Sequence, residues 1–330
     1  MKQIFTLITL SVLSFAFFQA EDRTDNFLSI EKEQGSLVKR VEEAVQNQSD
    51  SNSNGFRVPV QQEQIIWKEV VKSILDKHFK QAEKILNKNK FPYKLILFTE
   101  KSNGRKYILL EEKSGKTGWG FYVFDLETKS PLAIEIPHPV SDENTELQGI
   151  EAFLQTRARA FLLAGTHRRT NEKLSVCTQA TDESQYAESD VAHSVATMFH
   201  QTHETLVNKQ KNTVAVQLHG MKKRDICPDV FMSSGTKHVT KNAAKLLECL
   251  KNKKIEAGIY DGKTSTCPLI ASTNVQGRFS NGEKENACRK YAETSPEPGF
   301  FIHIEQEPNI RETKKNRQAV IDALKCAFPY

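Results

Sequence analysis

Short apolar runs alternate with helical stretches from about residue 130 to the end of the chain, and this alternation most narrows the fold. LAIEIP at 132–137, FLLAG at 161–165, TVAVQL at 213–218 and FFIHI at 300–304 read as strands. The stretches 149–160, 190–210, 241–252 and 317–328 read as helices. Strands that alternate with helices predict an α/β protein, a mixed sheet flanked by helices on both faces. Upstream, residues 61–88 carry Ile65, Ile66, Val70, Val71, Ile74, Leu75, Phe79 and Ile85 at helical spacing. YKLILFTE, KYILLEE and GFYVFDLE then read as three strands, an antiparallel N-terminal β-rich extension of the same sheet.

The first residues address the compartment. Lys2 precedes the apolar run 4–18, and Ala20 precedes an abrupt change to EDRTDN. This is the layout of a secretory signal peptide over 1–20, with a run too short for an ordinary membrane span. Residues 21–60 have the composition of a flexible polar linker, with a short helix fitting 31–46. Residues 61–330 are then expected to form a single α/β domain, of which 61–128 can be read as an N-terminal extension. All six cysteines lie beyond residue 170, and none sits in a CxxC pair. In an exported chain they predict two or three disulfides among 15 possible pairings. The expected location is periplasmic or secreted, with no stable membrane span after cleavage. Forty-six Lys and Arg against 41 Asp and Glu leave a net charge of only +5, and no basic strip is interleaved with aromatics. Nucleic acid is therefore not an expected partner.

The chemistry gathers where strands end. LAIEIP ends in His138, TVAVQL in His219 and FFIHI in Glu305, while FLLAG runs into Thr166-His167-Arg168-Arg169. Groups at the carboxyl ends of strands in an open α/β sheet converge on one crevice. His138 is followed by Asp142, Glu143 and Glu146. A histidine, a nearby acid and the distant His219 make an N,N,O set, the composition of a catalytic Zn2+ site with an open water position. Asp142 is the first choice for the oxygen ligand and Glu143 the second. Glu305 shares a strand face with His303 and Glu307, and near a metal it can take a proton from water and pass it to a leaving amine. Arg168 or Arg169 suits a substrate carboxylate. Asp190, His193, His200 and His203 either line the cleft or support the ligands. No Gly-rich phosphate loop, GxSxG or HExxH occurs.

EIPHP with its acidic loop, LLAGTHRRTN, SDVAHSVATMFHQTHE, VAVQLHG and FIHIEQ together resemble the N-formylglutamate amidohydrolase-like family, akin to zinc carboxypeptidases and poly-γ-glutamate hydrolases. The signatures span about residues 130–311. The resemblance implies a phosphorylase/hydrolase-like α/β fold with one zinc ion. It also implies His138, the first acid after it, and His219 as ligands, Glu305 as the catalytic carboxylate, and Arg168 or Arg169 on a substrate carboxylate. The carboxypeptidase pattern has Glu three positions after the first His, where this chain has Ser141. The acid therefore falls at Asp142 or Glu143. The expected activity is zinc-dependent hydrolysis of an amide or peptide in a carboxylate-bearing substrate, such as a γ-glutamyl, peptide or cell-wall fragment. The alternative is an exported, non-catalytic ligand-binding protein on the same fold.

Overall fold

Alternation along the strands decides how the layers stack. In β2 (Tyr93–Glu100), Leu95 and Leu97 point to one face of the sheet, while Ile96 and Phe98 point to the other. Both sets are buried, so both faces need cover. The computed structural model describes residues 30–178 and 185–330 of the 330-residue chain. The segment 1–20, expected to be a signal peptide, lies outside the described residues.

Within these residues runs a ten-stranded mixed sheet. Its strands are β1 (Glu31–Gly35), β2, β3 (Lys106–Glu112), β4 (Phe121–Phe124), β5 (Leu132–Ile136), β6 (Ala160–Leu163), β7 (Val214–Gly220), β8 (Val230–Ser233), β9 (Ala257–Ile259) and β10 (Phe301–Gln306). The spatial order is β1-β2-β3-β4-β6-β5-β7-β10-β8-β9. The expected antiparallel extension is present: β2, β3, β4 and β6 pair antiparallel and continue the sheet. The pairs β5–β6, β5–β7 and β7–β10 are parallel. The order reverses at β5, whose chain leaves toward β6 on one side while β7 lies on the other. Ligands in open α/β sheets bind at such a switch point. The last strand, β10, is inserted between β7 and β8.

Helices cover both faces. On one lie α1 (Leu37–Gln46), α4 (Thr145–Thr156), α6 (Lys241–Asn252) and α9 (Lys314–Ala327), burying Leu37, Phe153, Leu246 and Leu324. On the other lie α2 (Gln61–Leu75), α3 (Phe79–Lys88) and α5 (Met198–Lys209), burying Trp67, Phe79 and Phe199. The fully buried Trp67 donates its indole N–H to Thr202 Oγ1 at 2.9 Å, tying α2 to α5 without stranding a polar atom. Two short helices, α7 (Val275–Ser280) and α8 (Pro308–Glu312), complete the set. The helical stretch 61–88 is two helices, broken at Asp76–His78, where Lys77 takes a φ of 62°.

The stretch 190–210 is not one helix. Helix α5 starts only at Met198, because the Thr197 hydroxyl accepts the His200 N–H and caps it there. Residues 190–195 are turns, which changes where Asp190 and His193 point. Within 21–60, the described part holds β1 and α1, and residues 49–56 run against the loop that follows β6. His167 N–H donates to Ser49 O, Asn52 N–H to Arg169 O and Asn54 N–H to Thr170 O.

All six cysteines are paired: Cys177–Cys288, Cys227–Cys267 and Cys249–Cys326. Bridges of this kind persist in oxidising compartments, consistent with an extracytoplasmic protein. No helix of the described residues is long and apolar enough to cross a membrane.

Candidate metal centre

His138 leaves β5 beside Pro137 and is buried. Its carbonyl accepts the Asp142 N–H at 2.8 Å, which closes one turn and folds the i+4 side chain back over the ring. Parallel pairing of β7 with β5 and β10 brings His219 to the same end of the sheet, with Glu305 in register beside it. Asp142 Oδ2 then lies 3.4 Å from His138 Nδ1 and 3.5 Å from His219 Nδ1. The two imidazole rings meet edge to face, with centroids 4.9 Å apart.

These separations are too long for good hydrogen bonds, and both His138 Nδ1 and Asp142 Oδ2 are buried without one. Buried polar atoms are ordinarily paired, and an ion is one of the few things that explains an orphan pair. Ligand atoms about 2.0–2.2 Å from a tetrahedral ion are roughly 3.4 Å from one another. The observed spacings match that figure, so His138, Asp142 and His219 fit a single divalent metal. The structure brings these three together, while Glu143 is exposed and gives only its backbone carbonyl, to Arg311.

Two overlapping groups of candidate ligands surround this set: His138 with Asp190 and His193, and His219 with His303 and Glu305. In the first, Asp190 Oδ1 is already satisfied, 2.9 Å from His138 Nε2 and 3.0 Å from His193 Nδ1. Asp190 thus orients His138 and leaves Nδ1 as the atom facing Asp142. The second shares His219, and its His303 Nε2 lies 3.5 Å from Glu305 Oε1. The His219 and His303 rings are 4.4 Å apart.

Electrostatics separate the groups. Burial opposes charge on His138, but Asp190 and Asp142 outweigh it and push its pKa up to about 9. Burial pushes His219 the other way, down to about 4. Asp142 is held well below the usual carboxylate range, because the two histidines overcome its burial. Burial, and then the Asp142 charge, push Glu305 up to about 7. A carboxyl poised there can both take and give a proton near neutral pH.

A cavity of about 280 Å³ opens onto these groups. His138, His219, His303 and Glu305 line it together with Arg168 and a wall of Pro268–Asn274. Arg168 forms no ion pair among the described residues, whereas Arg169 is exposed and outside the cavity lining. Tyr186 stacks flat on His193, with centroids 3.6 Å apart, and its hydroxyl meets Thr273 Oγ1 at 3.1 Å. Of the histidines expected near the cleft, His193 lines it. His203 instead sits beneath the sheet end, bonded to Glu135 and Ser280. Burial holds His200 well below its ordinary value beside Phe279. Sequence reading passed over Tyr186, Gln217 and the wall 268–274. Only Gln217 carried a signal, as an amide inside an apolar strand two residues before His219 and therefore on the same face.

No protein-family model and no curated protein matches the chain. Distant likenesses to solved structures do occur. An N-formylglutamate amidohydrolase from Ralstonia eutropha JMP134 is 13% identical over 64% of this chain and 97% of that one, with a TM-score of 0.38. A bacteriophage poly-gamma-glutamate hydrolase is 14% identical over 62% of this chain and 86% of that one, with a TM-score of 0.34. A metallo-carboxypeptidase from Pseudomonas aeruginosa is 14% identical over 67% and 60%, with a TM-score of 0.34. The likeness is a distant one, at low sequence identity.

Proposed function

We propose that this protein is an exported, zinc-dependent amide or peptide hydrolase, with residues 61–330 as its hydrolase domain. The observation that carries the reading is the buried Asp142 oxygen, without a hydrogen bond and set at ligand spacing from His138 Nδ1 and His219 Nδ1. Those three side chains would hold the metal. When bound, zinc would supply Lewis-acid polarisation of a carbonyl and a more acidic water.

The chain's own residues do the rest. Glu305 accepts a proton from the attacking water and returns it to the departing amine. Arg168, which forms no ion pair among the described residues and lines the cavity, binds a carboxylate of the substrate. Asp190 keeps the His138 ring turned toward Asp142. The cavity admits something the size of one or two amino-acid residues, which suits a γ-glutamyl, peptide or cell-wall fragment. The expected compartment is the periplasm or the exterior.

Metal analysis of the purified protein, with turnover on carboxylate-bearing amides before and after chelation, tests the reading. About one zinc per chain and chelator-sensitive turnover are expected. Glu305→Gln should lower kcat by about 10²–10⁴-fold and leave the zinc in place. A protein that holds no metal, and gains no activity from added zinc, overturns the proposal. Zinc without turnover, in both the native protein and the variant, would instead favour a non-catalytic binder.

A further inference from the structure

Beneath the three ligand residues lies a set of buried amides that the hydrolytic reading leaves unused. Asn274, Gln276 and Gln217 are all buried, with Gln217 on β7 flanked in register by Glu135 on β5 and His303 on β10. The direction of every hydrogen bond in this set can be worked out, because it is anchored at backbone groups that have only one role.

Asn274 caps α7, its Oδ1 accepting the Gly277 N–H at 2.9 Å. Its Nδ2 must then be the atom that faces Gln217 at 2.7 Å, and since Nδ2 can only donate, the atom it meets is Oε1. Gln276 gives the same answer independently. Its Nε2 donates to the Val191 carbonyl at 2.9 Å, so its Oε1 faces Gln217 at 3.2 Å and requires a donor there. Glu135 is the third anchor, its carboxylate accepting from Gln217 Nε2 at 2.8 Å. All three agree that Gln217 turns its NH2 toward Glu135 and Gln276. Its carbonyl oxygen turns toward Asn274 and His219.

That oxygen lies 3.3 Å from His219 Nε2. An amide oxygen can only accept, so the His219 proton belongs on Nε2 and the lone pair on Nδ1. Nδ1 is the atom that faces Asp142. We infer that Gln217 is a positioning residue that fixes the Nε2–H tautomer of His219, and that Asn274 and Gln276 fix Gln217 in turn. The atom with which His219 can hold a metal is therefore set by an amide relay ending at a helix cap.

This inference rests on the metal set proposed above, and its test reads the relay separately. In metal-free protein labelled with 15N-histidine, at pH 8, the ring-nitrogen shifts of His219 report its tautomer. Nε2–H is expected in the native chain. In Gln217→Met, which keeps the side-chain length but replaces the amide oxygen with a weakly accepting thioether, that preference should be lost. The zinc Kd from chelator competition should rise by about 10–100-fold. Asn274→Ala, which leaves the Gln217 oxygen in place but removes one of its anchors, should weaken zinc by a smaller factor. The inference is overturned if native His219 carries its proton on Nδ1, or if folded Gln217→Met binds zinc within about twofold of the native protein. If Gln217→Met does not fold, the native tautomer and Asn274→Ala decide. If the native protein takes up no zinc, the hydrolase reading fails, while the His219 tautomer still supports or overturns the relay.

Discussion

At the scale of single residues, the centre is asymmetric in charge. His138 is pushed up to about 9 by its two aspartates against its burial, whereas burial pushes its neighbour His219 down to about 4. In metal-free protein at pH 7.5, His138 is therefore protonated and His219 is already neutral. A metal needs both rings neutral, so binding must expel the His138 proton. Calorimetric titration with zinc in buffers of different ionisation enthalpy should show about one proton released at pH 7.5. Affinity should climb about tenfold per pH unit between 7 and 8.5 and level off above about 9. An affinity that is flat across this range would show that His138 is not held charged. The choice between Asp142 and Glu143 illustrates what sequence could and could not supply. Spacing placed both acids close after His138, and a linear reading has no means to separate them. One backbone bond, Asp142 N–H to His138 O, returns residue 142 over the ring while 143 faces solvent, and that bond cannot be read from spacing.

At the scale of elements, the strands were the legible part. β5, β7 and β10 carry apolar runs whose ends are marked by His138, His219 and Glu305, and parallel pairing brings those ends together. The loops were not legible, because their shape depends on contacts made far away in sequence. The turns at 190–195 read as helix from local pattern, but Asp190 accepts the Ala192 and His193 N–H groups, the Val275 N–H donates to the Ala192 carbonyl, and the Thr197 cap starts the helix at Met198. The loop after β6 is shaped by close packing. A Cβ on Gly165 would stand 2.5 Å from the backbone of Gly118 and Gly120, so the position takes no larger residue without backbone movement. Gly165→Ala should cost about 1–3 kcal/mol in denaturant unfolding. It should also raise KM more than it lowers kcat, since Arg168 follows on the same loop. The disulfides divide in a similar way. Cys249–Cys326 ties α6 to α9, and removing both cysteines should cost about 2–4 kcal/mol of stability with little change in KM. Cys227–Cys267 ends where the cavity wall Pro268–Asn274 begins, so its removal should raise KM as well.

At the scale of the whole molecule, the N-terminal stretch is part of the site's support. Asn171 joins three distant segments: its Nδ2 donates to Phe56 O and Glu188 Oε1, and its Oδ1 accepts from Phe56 N–H. Composition alone reads residues 50–55 as linker, because their few apolar side chains cannot make a core. Backbone bonds to 167–170 hold them instead, and such bonds leave no mark in a sequence. Asn171→Ala should strand the partners it leaves behind and cost about 1–3 kcal/mol. Hydrogen exchange should then rise together in 49–56 and 166–171. A rise in only one of these segments would show that they are not coupled.

The insertion of β10 between β7 and β8 has a consequence for biogenesis. In a chain made from its N terminus the residues of β7 and β8 precede those of β10, and in the finished sheet the two strands do not pair with each other. Each keeps an open edge until residues 301–306 arrive and close the gap. Glu305 arrives on that same strand, so an incomplete chain has neither a closed sheet nor the Glu305 carboxyl beside His219. Such a chain exposes strand edges that can pair with other chains, which makes the period before β10 docks the one in which a chaperone would be most needed.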